Sequence, residues 1–111
     1  MTERRHLTRF RAAARRELGK IPQSDAIRIL RRLAELQQAL DAGNTDAFDI
    51  KALQGHTAHW RLRIGDYRAV YTLEEGPHGE LVVTVWVVAV GHRREISRSL
   101  WLLGHGEGPA A

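Results

Sequence analysis

Cysteine is absent from this chain, which excludes disulfide staples and thiolate chemistry alike. The opening MTERRHLTRF is basic but lacks the apolar segment of a secretory signal. The longest apolar run, Leu81 to Val90, is interrupted by Thr84 and is too short to span a bilayer. These absences make a cytoplasmic protein with no membrane partner the expectation. No Gly-rich phosphate loop, no Ser-His-Asp arrangement and no internal repeat is visible, and nothing marks a second domain. Lysine is nearly missing too: of 17 basic residues only Lys20 and Lys51 are lysines, and the rest are arginines.

What is there is ordinary in bulk. A chain of 111 residues with 43% hydrophobic and 27% charged content has the composition of one globular unit with one modest core. The net charge of +4 permits a polyanionic partner. A GC-rich coding sequence also favours Arg and Ala, so the placement of the arginines carries more information than their number.

Along the chain, His6 to Phe10 fits a short opening strand. Ala12 to Leu18 reads as a helix stopped at Gly19. Ser24 suits the N-cap of a longer helix, Asp25 to Ala42, whose stripe runs through Ile27, Leu30, Leu33, Leu36 and Leu40, widened by Ile29. Two helices joined by so short a turn predict an antiparallel hairpin. Asn44 to His59 reads as a polar connection anchored by Ile50 and Leu53. Trp60 to Leu73 alternates with period two, as a strand pair does. Leu81 to Val90 predicts a central strand covered on both faces, with Trp86 in the core. Ser99 to Leu103 fits a short last element, and Trp101 with its neighbouring leucines is expected to pack on the sheet. The expectation is therefore α+β: an N-terminal helical hairpin packed on one face of a four-stranded, mainly antiparallel sheet. A single domain over residues 1–103 would precede a flexible tail, 104–111.

The segment WRLRIGDYRAVY holds an oddity. Gly65-Asp66 suits a type II′ turn and sets the register Ile64–Tyr67, Arg63–Arg68, Leu62–Ala69 and Arg61–Val70. Apolar residues then share one face, and Arg61, Arg63 and Arg68 share the other. Like charges directly opposed weaken a sheet pair by roughly 0.2–1 kcal/mol. A solvated face where long side chains splay apart is one account. A bound anion is the favoured one, because Asp66 is the sole acid between Asp49 and Glu74 and the planar guanidinium fork suits phosphate. His92, Arg93 and Arg94 follow the last apolar strand, and Arg93 would lie near Arg68 if that strand pairs antiparallel with Tyr67–Leu73.

The segments LQGHTAHWRLRIGDYRAVYTL and VVTVWVVAVGHRREIS together resemble the RelE/ParE superfamily of toxins from type II toxin–antitoxin systems. The matching positions are Leu53, Gly55, Trp60, Arg61, Arg63, Gly65, Tyr67, Arg68, Tyr71 and Val90 to Arg93. RelE-like members cut mRNA in the ribosomal A site without a metal, and ParE-like members inhibit DNA gyrase. The RelE reaction is attack of a ribose 2′-hydroxyl on phosphorus, giving a 2′,3′-cyclic phosphate. The resemblance implies that Arg68 and Arg93 stabilise the scissile phosphate and that Arg61, Arg63 and Arg94 contact RNA. It implies no cofactor; the partners would be a cognate antitoxin, the ribosome and mRNA. The expected function is thus a metal-independent mRNA endonuclease; the alternatives are a gyrase-directed toxin and a degenerate toxin that only binds its antitoxin.

Two departures bear on proton transfer. Arginine stays protonated at working pH, so Arg63 cannot serve where a lysine would as base. Ser97 stands near the place of the family's final tyrosine. His92 is the local substitute for a catalytic proton-transfer group, ahead of His56 and His59. Those last two lie three apart in a segment without helical pattern or third ligand, so no metal site is expected.

Overall fold

A computed structural model of the chain describes residues 4–76 and 80–96. Seven elements follow in order: β1 (Arg5–Phe10), α1 (Ala12–Gly19), α2 (Gln23–Ala42), β2 (Ile50–Ala52), β3 (Trp60–Ile64), β4 (Tyr67–Glu75) and β5 (Val82–His92). The sheet order is β1-β5-β4-β3-β2. β1 runs parallel to β5, and every other pair is antiparallel. The two helices carry the chain from the β1 edge to the β2 edge, and the meander then returns it to lie beside β1.

This corrects the expected four-stranded, mainly antiparallel sheet. The sheet is mixed and five-stranded because Ile50–Ala52, read as polar connection, pairs with Leu62–Trp60. A three-residue strand is too short to show a period of two in sequence. The helical hairpin is corrected as well. β1 comes first, and α1 packs chiefly on β5 while α2 packs chiefly on β1, with little contact between the helices. The sheet, not a partner helix, is what buries each apolar stripe.

Pro22 occupies the N-cap position just before α2, with φ −52° and an extended ψ of 140°, and Ser24 lies inside the first turn. It ends at Gly43, whose φ of +75° is the left-handed conformation that glycine adopts at little cost. Ile29, Leu33 and Leu36 face the sheet, whereas Ile27 and Leu30 are exposed. The stripe is narrower than the sequence implied. Together with Ala14, these residues close over Leu62, Ile64, Ala69, Tyr71, Val85, Val87 and Val90 in the main core.

The opposite face has a smaller apolar cluster of Val70, Ala89 and Ile96, flanked by Leu53 and Val88. It exists because of a bulge: Val70 pairs with Ala89 but Tyr71 pairs with Val87, leaving Val88 as an extra residue. Up to Val87 the odd residues of β5 enter the main core, and beyond the bulge Val90 does. Trp86 lies on this second face and not in the core. Its Nε1–H donates to Glu74 Oε1 at 2.9 Å, and the Arg11 guanidinium stacks 3.9 Å from its ring centroid. Trp60 and Leu73, expected inside, are more than a third exposed at the margin of the helix face. Among the described residues, no helix is long and apolar enough to cross a membrane. The final element expected around Trp101, Ser97 and the tail 104–111 lie outside the described residues.

Candidate functional site

The hairpin register is the one the turn chemistry sets: Arg63 opposes Arg68 and Arg61 opposes Val70. Gly65 has φ +61°, as the first central position of a primed turn requires. Its lack of a side chain has a second use. A Cβ there would stand 3.0 Å from Arg28 Nη2 of α2.

On the face away from the helices, Arg61 and Arg63 lie beside Arg68, and Arg93 also comes close enough to act on its charge. Burial, and then the charges of Arg61, Arg63 and Arg93, pull the Arg68 guanidinium below the ordinary arginine range, against the opposite pull of Asp49. Arg68 is anchored through one nitrogen: Nη1 donates to the carbonyls of Gly65 and Tyr67, both at 3.0 Å. The other edge of the fork, Nε with Nη2, makes no hydrogen bond among the described residues. Arg93 is placed by its backbone N–H, which donates to the Asp66 carbonyl at 2.8 Å. Arg61 carries a buried Nε–H with no acceptor among the described residues. A buried donor left unpaired costs roughly 1–3 kcal/mol. The cluster is therefore under-neutralised, as a binding surface for phosphate would be.

One acid moderates it. Asp49 directly precedes β2, and its carbonyl accepts the Arg63 backbone N–H at 3.0 Å. Its carboxylate stands 4.0 Å from both Arg61 Nη2 and Arg63 Nη1. Sequence reasoning missed this residue. The signal was present in Ile50, an inward anchor next to it: pairing Ile50 with Leu62 places Asp49 against Arg63.

The other expected site residues lie elsewhere. Gly91 pairs with Arg68 and His92 with Tyr67, so His92 turns to the helix side. Its ring meets Tyr67 edge-on at 5.8 Å, and its Nδ1 accepts the Arg94 backbone N–H at 3.2 Å. His92 and Arg94 line a groove of about 670 Å³ with Glu17, Lys20, Tyr67 and Glu95. The sheet thus separates His92 and Arg94 from the four arginines. The two tyrosines of the YR…Y pattern also point to the helix side. Tyr67 donates to Asp25 Oδ2 at 3.0 Å, and that bond raises its pKa above the ordinary phenol value. Burial pushes Tyr71 up to about 12. Both stay protonated and hold structure. His56 and His59 approach to 5.7 Å between ring centroids, but no set of three metal-ligating side chains occurs among the described residues.

Comparison with known proteins places this geometry. The folds of two solved structures are similar to this one: the toxin–antitoxin complexes RelB-RelE of Methanococcus jannaschii and RelE-RelB of Pyrococcus horikoshii. The first matches at 21% identity and a TM-score of 0.54, covering 81% of this chain and 95% of the other. The second matches at 21% identity and a TM-score of 0.52, covering 84% and 97%. A search of curated proteins finds no match. The family model described as the ParE toxin of type II toxin-antitoxin system, parDE, matches residues 8–97. That span takes in both helices and the five strands, save the first residues of β1, and all four clustered arginines, so the chain belongs to the RelE/ParE superfamily of type II toxins.

Proposed function

We propose that this toxin is a metal-independent endoribonuclease that cuts mRNA, with the ribosomal A site as its place of action. The observation that carries the reading is the convergence of Arg61, Arg63, Arg68 and Arg93 on one open face, with Asp49 their close carboxylate. Attack of a 2′-hydroxyl on phosphorus builds charge on the phosphoryl oxygens, and preplaced guanidinium donors stabilise that charge. Arg68 offers its free Nε/Nη2 edge to the scissile phosphate and Arg93 stands beside it. Arg61 and Arg63 hold the RNA backbone. The products are a 2′,3′-cyclic phosphate and a 5′-hydroxyl end. The structurally similar RelE chains are held by RelB antitoxins. The corresponding partner here is an antitoxin with an acidic segment that covers the arginine face.

Primer extension on programmed ribosomes, and separately on naked mRNA, tests the reading. Cuts at A-site codons that disappear in Arg68→Ala are expected. A second reading, inhibition of DNA gyrase without RNA cleavage, is supported by the match to the ParE family model and by the turning of His92 away from the arginines. Loss of gyrase supercoiling activity with intact mRNA in every lane would establish that second reading.

A further inference from the structure

The arginine face can bind a phosphate, but its four guanidinium groups cannot take up the proton that a 2′-hydroxyl must lose. His92, the expected group, is on the other side of the sheet. Tyr67 and Tyr71 are held protonated on that side too. Resting on the endonuclease reading, we infer that Asp49 is the general base, accepting the 2′-hydroxyl proton from a ribose whose phosphate is held by Arg61, Arg63 and Arg68.

Three observations carry this. Asp49 stands 4.0 Å from Arg61 and from Arg63, the two guanidinium groups that face it across the β2–β3 pair. At that distance neither arginine forms a hydrogen bond with it, and no hydrogen bond to its carboxylate oxygens occurs among the described residues. A carboxylate with charged neighbours but no hydrogen-bond partner, beside an anion site, is open to a ribose hydroxyl. It is also accessible, with 46% of its side chain exposed, yet fixed in place by the backbone bond from Arg63 to its carbonyl. In the step itself the 2′-hydroxyl proton passes to an Asp49 oxygen as the 2′-oxygen bonds to phosphorus. The P–O5′ bond breaks with its electron pair on O5′. O5′ takes a proton from water, and Asp49 returns its proton to the solvent.

Asp49 faces Arg61 and Arg63 of β3, and Lys51 shares its side of β2 by register. Arg68 and Arg93 complete the charged surroundings.

The test measures single-turnover cleavage against pH, and separately the affinity for the same RNA–ribosome complex, in wild type, Asp49→Asn and Asp49→Glu. Asp49→Asn should bind as tightly as wild type or more tightly, because it removes a negative charge from the phosphate site. Its cleavage rate should fall by roughly a hundred- to ten-thousand-fold, the range of a positioned general base, and its acid limb should vanish. Asp49→Glu should recover part of the rate and the limb. Cleavage by Asp49→Asn at the wild-type rate would overturn the inference while leaving the nuclease standing. So would equal losses of binding and cleavage, which is the signature of a structural role, or a retained acid limb. Wild-type protein that cuts no RNA removes the endonuclease reading itself, and this inference with it.

Discussion

The two faces of the sheet are built from alternate residues of the same strands, yet they do opposite things with them. Towards the helices, Leu62, Ile64, Ala69 and Tyr71 are closed over by Ile29, Leu33 and Leu36. Away from the helices, Arg61, Arg63 and Arg68 alternate with those residues, and the small cluster of Val70, Ala89 and Ile96 is the dry part among the described residues. One face supplies stability through burial. The other concentrates like charge that burial and neighbours both disfavour, which a protein selected for stability alone would remove. Folding and the proposed chemistry are thereby divided between residues one position apart.

The strongest way to break the division is from the packed side. Leu36 is 1% exposed, and Leu36→Ala should cost about 2–5 kcal/mol of unfolding free energy from lost burial and the cavity left behind. Urea denaturation measures it. On the proposed endonuclease reading, the fraction that remains folded should cut RNA at the wild-type rate, since the substitution lies on the face away from the arginines. A mutant that is fully folded yet slow would mean that the helix face tunes the site as well.

From the arginine side the pattern should invert. Arg68→Ala should slow cleavage by roughly a hundred- to thousand-fold, as for loss of one transition-state donor. Its unfolding free energy should stay within about 0.5 kcal/mol of wild type, since the lost carbonyl bonds are offset by relief of repulsion. A drop of several kcal/mol would reassign Arg68 from chemistry to structure.

Gly65 is where the faces meet, with Arg28 against it from the helix side and Arg68 bonded to its carbonyl from the other. Gly65→Ala places a Cβ at φ +61° and 3.0 Å from the Arg28 guanidinium. It should destabilise by about 1–2 kcal/mol, the cost of the left-handed conformation, with Arg28 swinging aside. An unchanged unfolding midpoint would mean that the turn relaxes into another type.

The same division explains what was legible in the sequence. The hairpin could be read to the residue, because strict alternation plus a Gly-Asp turn leaves one register, and Arg63 opposite Arg68 follows from it. β5 could be read as a strand but not as a bulged one. A run of valines hides its own parity, and the bulge at Val88 decides that Arg93 joins Arg68 while His92 faces Tyr67. Asp49 escaped for a related reason. Its strand has three residues, so the pairing that brings it to the arginines depends on tertiary contacts of Ile50 and not on any local period. Trp86 was expected inside because large aromatics usually are, but Arg11 and Glu74 satisfy it on the outer face.

The smallest effect lies at the rim of the packed face, where β1 is held to α2 by polar groups. The His6 backbone N–H donates to Asp41 Oδ1 at 2.7 Å, and the His6 ring meets the same oxygen at 2.8 Å. The side-chain hydrogen bond from His6 holds the Asp41 carboxyl below its ordinary value near 3.8. A carboxyl lowered by folding stabilises the fold fully above its unfolded value, and the gain is lost as pH falls through the lower folded value. Asp41→Asn keeps an oxygen acceptor but not the charge. The stability gap between wild type and this variant should therefore be constant from neutral pH down to about 3.8 and should narrow below it. Thermal unfolding of the two proteins across the acid range measures the gap. A gap that persists undiminished far into acid would mean that the carboxylate's charge does not hold the rim, and that shape and packing fix β1 as they fix the rest of that face.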